Sequence, residues 1–282
     1  MTYILAVSGG VDSVVLLDMF TGRINPENLV VAHFEHGIRG ETSKNDALFV
    51  KELSQKYRVK CEIGYGDLTK NASEDQARRK RYVFLKSIAA KYKGQLVTAH
   101  HQDDLIETIA INLYRGTGWR GLAVFGDKSI ARPLVGITKE NIYNYALRHG
   151  LEWVEDETNL TTQYLRNRLR GKLSALLGDS QREKLVKLHQ EQTVLADAIS
   201  KEIDNVTVDQ RQSRYFFIMA PEMVAIELLR DITDAKLTRP QLERLLISIK
   251  TLRPGSTYEA GSGIAVEFTK RHFVVINTSR VV

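Results

Sequence analysis

The sequence predicts an α/β fold in which a parallel sheet carries helices on both faces, followed by a helical segment and a small C-terminal α/β domain. Three observations predict it. Short apolar strand patterns alternate with helical patterns through the first half of the chain. A Gly-Gly turn joins the first strand to an apolar helix, and a purely helical stretch precedes a strand-rich end. Strands that are apolar throughout are typical of a sheet covered on both faces.

Each element follows from a local pattern. The first-half strands are apolar runs, and the stretches between them carry apolar residues at helical spacing. Near the end, a Pro-Gly turn and a Gly-Ser-Gly loop delimit strands. The predicted strands are 3–7, 29–34, 59–65, 95–98, 214–218, 256–260, 264–268 and 272–276. The predicted helices are 12–20, 43–57, 74–92, 104–114, 139–149, 162–176, 181–203, 221–231 and 239–250. These changes of pattern divide the chain into segments 1–160, 161–204 and 205–282.

Composition bounds the class of protein. The 282 residues, 43% of them hydrophobic, suffice for a sizeable core and suit two domains. No apolar run is long enough to span a membrane, and we expect no secretory signal, because the sequence enters a strand at once. The one cysteine, Cys61, excludes an intramolecular disulfide and a cysteine-ligated cluster within one chain, so we expect a cytoplasmic protein. A net charge of +6 permits a polyanionic partner.

The stretch Ser-Gly-Gly-Val-Asp-Ser at 8–13 predicts a phosphate-binding loop. Gly9 and Gly10 let backbone amides approach an anion, and Ser8 and Ser13 add hydroxyl donors. The following helix directs its positive N-terminal end at the same place. Neither a Gly-Lys-Ser/Thr ending nor a Gly-x-Gly-x-x-Gly pattern is present, which excludes the P-loop and the dinucleotide fingerprint. The alternative is an ordinary Gly-rich strand-to-helix turn.

A second cluster of polar residues follows the strand at 95–98, on the edge where open α/β sheets bind ligands. Asp103, Asp104 and Glu107 crowd one side of the first turn of a predicted helix. Like charges at this spacing repel one another, so they indicate a site for Mg²⁺ or an ammonium group. The alternative is a capping box, because Asp-x-x-Glu also fits a helix start.

The histidines and the basic residues each allow two interpretations. Histidines near two strand ends suit either a metal site or hydrogen bonds to a nucleotide. The block Arg78–Arg81 surrounds its helix, so it is either a solvated face or includes a residue that turns inward or forms an ion pair. Arg166 and Arg170 share a face that suits either polyphosphate or RNA, or pairing with the acids at 155–157. The four histidines are His33, His36, His100 and His101.

Residues 8–13 resemble the pyrophosphate loop of the N-type ATP pyrophosphatases, the PP-loop superfamily with an adenine nucleotide alpha hydrolase-like fold. Over residues 1–175 the chain resembles one family in it, the tRNA(Ile)-lysidine synthetases. Glu35 departs from that family's pattern, which typically has Asp or Asn before the His-Gly pair. The motifs that match, in order, are the loop at 8–13, His-x-x-His-Gly-x-Arg at 33–39, Glu-x-x-Ala-Arg at 74–78 with Arg-Tyr-x-Phe-Leu at 81–85, Ala-His-His-x-Asp-Asp-x-x-Glu-Thr at 99–108, Arg-Gly-x-Gly-x-x-Gly-Leu at 115–122, Arg-Pro-Leu at 132–134, Glu-Asp-x-Thr-Asn at 155–159 and Arg-Asn-x-x-Arg at 166–170.

The resemblance implies a ligase that modifies tRNA with ATP and Mg²⁺. The wobble cytidine of tRNA(Ile) with a CAU anticodon is adenylated at C2, pyrophosphate leaves, and L-lysine then displaces AMP to form lysidine. The implied ATP-binding residues are Ser8, Gly9, Gly10, Val11, Asp12, Ser13, His33 and Arg39, with Asp12 also as the Mg²⁺ ligand. The implied catalytic residues are Asp12, Asp104 and Glu107, of which the last two also bind lysine. The implied tRNA-binding residues are Arg78, Arg81, Arg115, Arg166 and Arg170.

With this resemblance, residues 1–160 are the expected ATP-binding catalytic domain, 161–204 a helical extension, and 205–282 a small domain that contacts tRNA. Two other functions stay open: a PP-loop tRNA base thiolase, against which the single cysteine argues, and a non-catalytic nucleotide- or RNA-binding module. The oligomeric state is also open, with a homodimer as one option. So are the general base and the surface that separates tRNA(Ile) from tRNA(Met).

Overall fold

The computed structural model describes residues 1–37, 41–66, 74–155, 177–206 and 212–277; at 41–44 and 74–75 it describes the backbone alone. The chain divides into two compact units, Met1–Thr193 and Val194–Val282. The domain boundaries expected from the sequence stay a prediction. None of the helices in the described ranges is long and apolar enough to cross a membrane.

A five-stranded parallel sheet forms the centre of the first unit, with strand order β3-β2-β1-β4-β5. β1 lies in the middle of this order, so the turn that follows it opens at the centre of the carboxyl edge. The order reverses direction beside β1, which is where open α/β sheets bind ligands. The strands are β1 (Tyr3–Ala6), β2 (Leu29–Glu35), β3 (Lys60–Tyr65), β4 (Gln95–Val97) and β5 (Ile130–Ala131).

Helices cover both faces of this sheet. Successive residues of β1 point to opposite faces, so Leu5 packs in one core and Ile4 in the other. The first core also contains side chains of α1, α2 and α5, and the second contains Leu85 and Ile88 of α3. The helices that lie within this unit are α1 (Val11–Thr21), α2 (Glu41–Lys56), α3 (Glu74–Lys91), α4 (Gln102–Tyr114) and α5 (Lys139–Arg148). A further helix, α6 (Asp179–Asp204), begins in this unit and ends in the second.

The second unit packs helices on a three-stranded antiparallel sheet of order β6-β7-β8. Phe217 and Phe273 are fully buried in its core, with ring centroids 5.2 Å apart. Its remaining elements are α7 (Arg214–Met219), α8 (Glu222–Ile232), α9 (Arg239–Thr251), β6 (Thr257–Gly261), β7 (Ile264–Phe268) and β8 (Phe273–Asn277).

The predicted fold class is confirmed, with one element of the wrong type. Residues 214–218 were predicted as a strand from their aromatic and β-branched content, but they form α7. Ser213 caps this helix by accepting the Phe216 amide, and Phe217 is buried while Ile218 is exposed. Tertiary packing therefore overrides the local strand preference. The short strand β5 was not predicted, and the predicted helix at 162–176 lies outside the described residues.

Candidate active site

The turn at residues 8–10 has the backbone geometry of an anion-binding loop. Gly9 has φ +98°, a conformation that side chains rarely adopt, and Gly10 is the N-cap of α1. The carbonyl oxygen of Gly9 accepts a hydrogen bond from the Val154 amide at 3.0 Å, which brings the chain around residue 154 beside the loop. Within the described part of the chain, the amides of Gly10, Val11 and Asp12 make no backbone hydrogen bond, as is usual in the first turn of a helix.

Ser13 organises this loop from inside. Its side chain is buried, and its hydroxyl oxygen accepts hydrogen bonds from the Ser8 amide at 3.1 Å and the Gly9 amide at 3.2 Å. The same hydroxyl donates to the carbonyl oxygen of Gly10 at 2.8 Å. Ser13 therefore shapes the curve of the loop, and phosphate oxygens that enter it would compete with this hydroxyl for two amides.

Asp12 carries the carboxylate of the loop, and its ion-pair partner is a residue that the sequence did not single out. The Lys139 ammonium lies 2.6 Å from Asp12 Oδ1. Lys139 is the first residue of α5, directly after the N-cap Thr138, and it follows β5. If β5 had been predicted, Lys139 would have been recognised as a residue that follows a strand of the sheet on its carboxyl edge. An ammonium group on a long side chain beside this loop could also bind a phosphate oxygen.

The carboxylates of the second cluster lie in the first two turns of α4, and one of them takes part in capping this helix. His101 is the N-cap, its ring Nδ1 accepts the Asp103 amide, and Asp104 accepts the His101 amide at 3.0 Å. A capping box thus exists, but it pairs positions 101 and 104 instead of the expected 104 and 107. Glu107 lies one turn further along α4 and is buried, with 2% of its surface exposed.

Asp103 ties three helices together. Its Oδ2 accepts the backbone amide of Lys139 at 2.9 Å, and its Oδ1 pairs with the Arg182 guanidinium of α6 at 2.6 Å. Its interaction with His101 and then these two contacts outweigh burial and hold the pKa of Asp103 well below its usual range. Arg182 was not predicted as a site residue, and its position in α6 gives no local signal of this contact.

His101 bridges the phosphate loop and the carboxylate cluster. Its Nε2 lies 3.8 Å from Asp12 Oδ2 and 3.4 Å from Asp104 Oδ2, and the ring is buried. Burial lowers its pKa, but the carboxylates of Asp103, Asp104 and Asp12 act more strongly together and raise it. The loop and the carboxylates of α4 therefore form one site, separated by a single imidazole ring.

The other three histidines do not join His101 in a metal site. In the described ranges, no group of three or more His, Cys, Asp or Glu side chains has the arrangement to hold a metal ion. The buried His33 donates from Nδ1 to the Val7 carbonyl oxygen at 2.9 Å, and burial lowers its pKa. His100 shares a hydrogen bond with Thr98 at 2.8 Å. These contacts fix both rings at the carboxyl edge.

The arginines predicted to bind tRNA lie at several places. Arg78 and Arg81 lie against the Tyr82 ring on α3, and Arg115 is the exposed C-cap of α4. Arg166 and Arg170 lie outside the described residues, and so does Arg39, which was predicted to bind ATP.

Cys61 lies on β3 opposite Val31 of β2, and burial raises the pKa of its thiol. A thiol in this environment is a poor nucleophile. β3 is the outermost strand on its side of the sheet, and β2 separates it from β1 and the loop that follows β1.

Comparison with known proteins identifies a PP-loop domain in this chain. A family model described as a PP-loop domain matches residues 1–177. The tRNA(Ile)-lysidine synthase of Bacteroides thetaiotaomicron is 34% identical over 238 residues, which cover 81% of this chain and 54% of that protein. The enzyme of the same name from Thermosipho africanus is 34% identical over 260 residues, covering 86% of this chain and 60% of that protein.

The chain thus spans little more than half the length of these curated relatives. Among solved structures, a U34-tRNA thiolase from Methanococcus maripaludis shares the fold, with a TM-score of 0.57, 18% identity, and coverage of 68% of this chain and 72% of that one. The residues that the family model matches, 1–177, include the loop at 8–13 and the carboxylate cluster of α4. The chain belongs to the PP-loop domain family.

Proposed function

We propose that this protein ligates L-lysine to C2 of the wobble cytidine of tRNA(Ile) with a CAU anticodon, using ATP and forming lysidine. The names of the curated relatives support this substrate and product. One structural observation carries the proposal. The His101 ring lies between Asp12 of the phosphate loop and Asp104 of α4. A nucleotide phosphate at the loop and an amine at Asp104 would therefore be separated only by this ring.

ATP would place its two outer phosphates in the turn at 8–10. The unpaired amides of the first turn of α1 and the helix dipole favour negative charge there. Lys139 would move its ammonium from Asp12 onto a phosphate oxygen. Mg²⁺ is commonly bound by one or two carboxylates together with substrate phosphates, and Asp12 fits that donor set. When bound, Mg²⁺ would neutralise charge on the phosphates.

In the first step, the C2 oxygen of the cytidine would attack the α-phosphorus, and the bond to the β-phosphate oxygen would break with loss of pyrophosphate. Catalysis of such a step is mainly positioning and charge stabilisation. The loop amides and Lys139 are the groups of this chain that would stabilise the leaving pyrophosphate, once its oxygens displace the Ser13 hydroxyl from two of those amides. An unpaired base in a loop presents its edge without opening a helix.

In the second step, the ε-amine of lysine would form a bond to C2, and AMP would leave with the C2 oxygen. Lysine arrives protonated, so Asp104 and Glu107 would first bind its ammonium group. The amine must then lose a proton before it attacks. Asp104 and Glu107 would help to remove that proton. His101 accepts the Asp103 amide at Nδ1, so its ring proton is on Nε2, 3.4 Å from Asp104, where it would hold that carboxylate in place.

The test is product analysis with purified protein, ATP, labelled lysine and a transcript of tRNA(Ile) with a CAU anticodon. We expect the label in the RNA, together with AMP and pyrophosphate that form only when the RNA is present. The same transcript with its wobble cytidine changed to uridine is the control and should stay unlabelled. Release of ADP, or RNA without label, would contradict the proposal.

A further inference from the structure

Arg182 lies near the N-terminus of α6 and forms an ion pair with a carboxylate of α4. Its Nη1 lies 2.6 Å from Asp103 Oδ1, and the two side chains are only 17% and 23% exposed. A cation near the start of a helix is unfavourable, because the helix dipole is positive at that end. The contact with Asp103 offsets this cost, so the partner on α4 explains the position of this charge better than α6 does.

The N-terminal half of α6 is also held by contacts other than this ion pair. Leu185 and Val186 pack against a core cluster that includes Leu105 of α4. His189 shares a hydrogen bond with the carbonyl oxygen of Leu122 at 2.8 Å. Loss of the Arg182 charge should therefore leave α6 in place, and a role of that charge at the site can be tested separately from folding.

Two cations and two carboxylates lie together beside the phosphate loop. Arg182 pairs with Asp103, and the Lys139 ammonium pairs with Asp12 at 2.6 Å. The carboxylates are near each other, because the His101 ring lies 3.6 Å from Asp103 Oδ2 and 3.8 Å from Asp12 Oδ2. The charge of Lys139 also acts on His101. The Lys139 ammonium is therefore within electrostatic range of both carboxylates.

Asp103 is the carboxylate that could draw this ammonium away from the loop. Its Oδ2 already accepts the backbone amide of Lys139 at 2.9 Å, while its Oδ1 is occupied by Arg182. Removing one member of a largely buried ion pair leaves the other charge uncompensated. Lysine has a long flexible side chain, so Asp103 without Arg182 would compete with Asp12 for the ammonium of Lys139.

We propose that Arg182 is a positioning residue for the phosphate loop: it neutralises Asp103, so that the Lys139 ammonium stays at Asp12 and is available to the phosphates of ATP. This inference rests on one part of the proposed function, the binding of ATP phosphates by the loop and Lys139. Arg182 acts through Asp103 and Lys139 and needs no contact with the nucleotide.

Calorimetric titration with ATP tests this role in the variants Arg182→Gln, Arg182→Lys and Lys184→Gln. We expect Arg182→Gln to weaken ATP binding about fivefold to tenfold, which is the size of a typical coupling between neighbouring charges. Arg182→Lys keeps the charge and should stay within about twofold of wild type. Lys184 is an exposed residue of the same helix, so Lys184→Gln is the matched control and should bind ATP like wild type.

Two double variants separate this role from a purely structural one. Adding Asp103→Asn to Arg182→Gln removes the competing carboxylate and should restore ATP affinity to within about twofold of wild type. This double variant has no unpaired charge, so it tests the proposal even where Arg182→Gln alone is too unstable to titrate. In a Lys139→Met background, Arg182→Gln should no longer change ATP affinity, because no ammonium is left to redirect.

A structural role of Arg182 would weaken ATP binding by the same factor with and without Lys139, and Asp103→Asn would weaken it further; either result overturns the proposal. The proposed function can fail separately. Wild-type protein that binds ATP but leaves the RNA unlabelled contradicts lysidine formation, and the role of Arg182 in nucleotide binding then stands. Labelled RNA together with equal ATP affinities in Arg182→Gln and Lys184→Gln overturns the role of Arg182 alone.

Discussion

The Lys139 ammonium lies 2.6 Å from Oδ1 of Asp12, so a helix that begins after the last strand of the sheet sends a cation into the turn that follows the first strand. The backbone amide of the same residue is held by Asp103. Lys139 is therefore held at both ends, by Asp103 at its backbone and by Asp12 at its ammonium group.

Replacing Lys139 by Met should weaken ATP binding about tenfold to a hundredfold, because one charge-assisted contact to phosphate is lost. Lys139→Arg should keep most of the affinity. Calorimetric titration with ATP checks both variants, and Lys51→Met, which removes an exposed lysine of α2, is the matched control. Equal affinities in Lys139→Met and Lys51→Met would remove Lys139 from the phosphate site.

The two glycines of the loop should respond differently to alanine. Gly9→Ala forces a side chain onto φ +98° and should lower the free energy of unfolding by about 1–3 kcal/mol. Gly10 has φ −72°, and an added Cβ would meet no atom closer than Ser8 Oγ at 3.7 Å. Gly10→Ala should therefore keep the stability and weaken only ATP binding. Urea unfolding together with ATP titration separates the two effects, and equal stability losses would refute the difference.

Asp104→Asn should raise the KM for lysine at least tenfold and leave the ATP dissociation constant near wild type. The asparagine oxygen still accepts the His101 amide, so the capping box at the start of α4 survives while the negative charge is lost. Steady-state kinetics with varied lysine measures the effect. A large loss of ATP affinity would instead assign Asp104 to the nucleotide.

Asp103→Asn should destabilise the fold by about 1–2 kcal/mol at neutral pH, because the folded chain holds the pKa of this carboxyl well below its usual range. A depressed carboxyl pKa stabilises the fold above the unfolded value of about 3.8, and this stabilisation is lost as the pH falls below it. The difference in unfolding free energy between wild type and variant should stay constant down to about pH 5 and narrow below about pH 4.

Urea unfolding across this pH range measures the difference. Glu52→Gln, which changes an exposed acid of α2, should show little difference at any of these pH values. A stability difference between wild type and Asp103→Asn that grows as the pH falls would contradict the prediction.

Arg214 holds the second unit together through its guanidinium group. The buried side chain donates to the carbonyl oxygens of Ile249, Leu252 and Thr269 at 2.8, 2.7 and 3.1 Å. Arg214→Lys leaves two of these carbonyls without a donor and should cost about 2–4 kcal/mol of stability. Thermal unfolding followed by circular dichroism measures this loss, with Arg239→Lys at an exposed ion pair as control. Equal melting temperatures in the two variants would contradict the role of Arg214.

Much of the fold could be predicted from the sequence because its signals are local. Apolar runs and helical spacing locate most strands and helices to within about two residues, and the Gly-Gly turn locates the phosphate loop. The strand prediction at 214–218 failed because the residue types are those of a strand, whereas Ser213 and the burial of Phe217 select a helix.

The candidate site could be predicted only in part. The carboxylates of α4 are visible in the sequence, since they lie together after a strand. Lys139 and Arg182 are not, because their partners Asp12 and Asp103 lie 127 and 79 residues away and no periodicity connects them. The position of the capping box was also missed, because histidine is not among the usual N-cap residues.

Asp103 contacts the first turns of two other helices from the first turn of its own, through the Lys139 amide and the Arg182 guanidinium. The starts of α4, α5 and α6 are therefore mechanically joined at one carboxylate. Under the proposed function, a phosphate that draws the Lys139 side chain away from Asp12 would therefore act on the same junction that positions the start of α4.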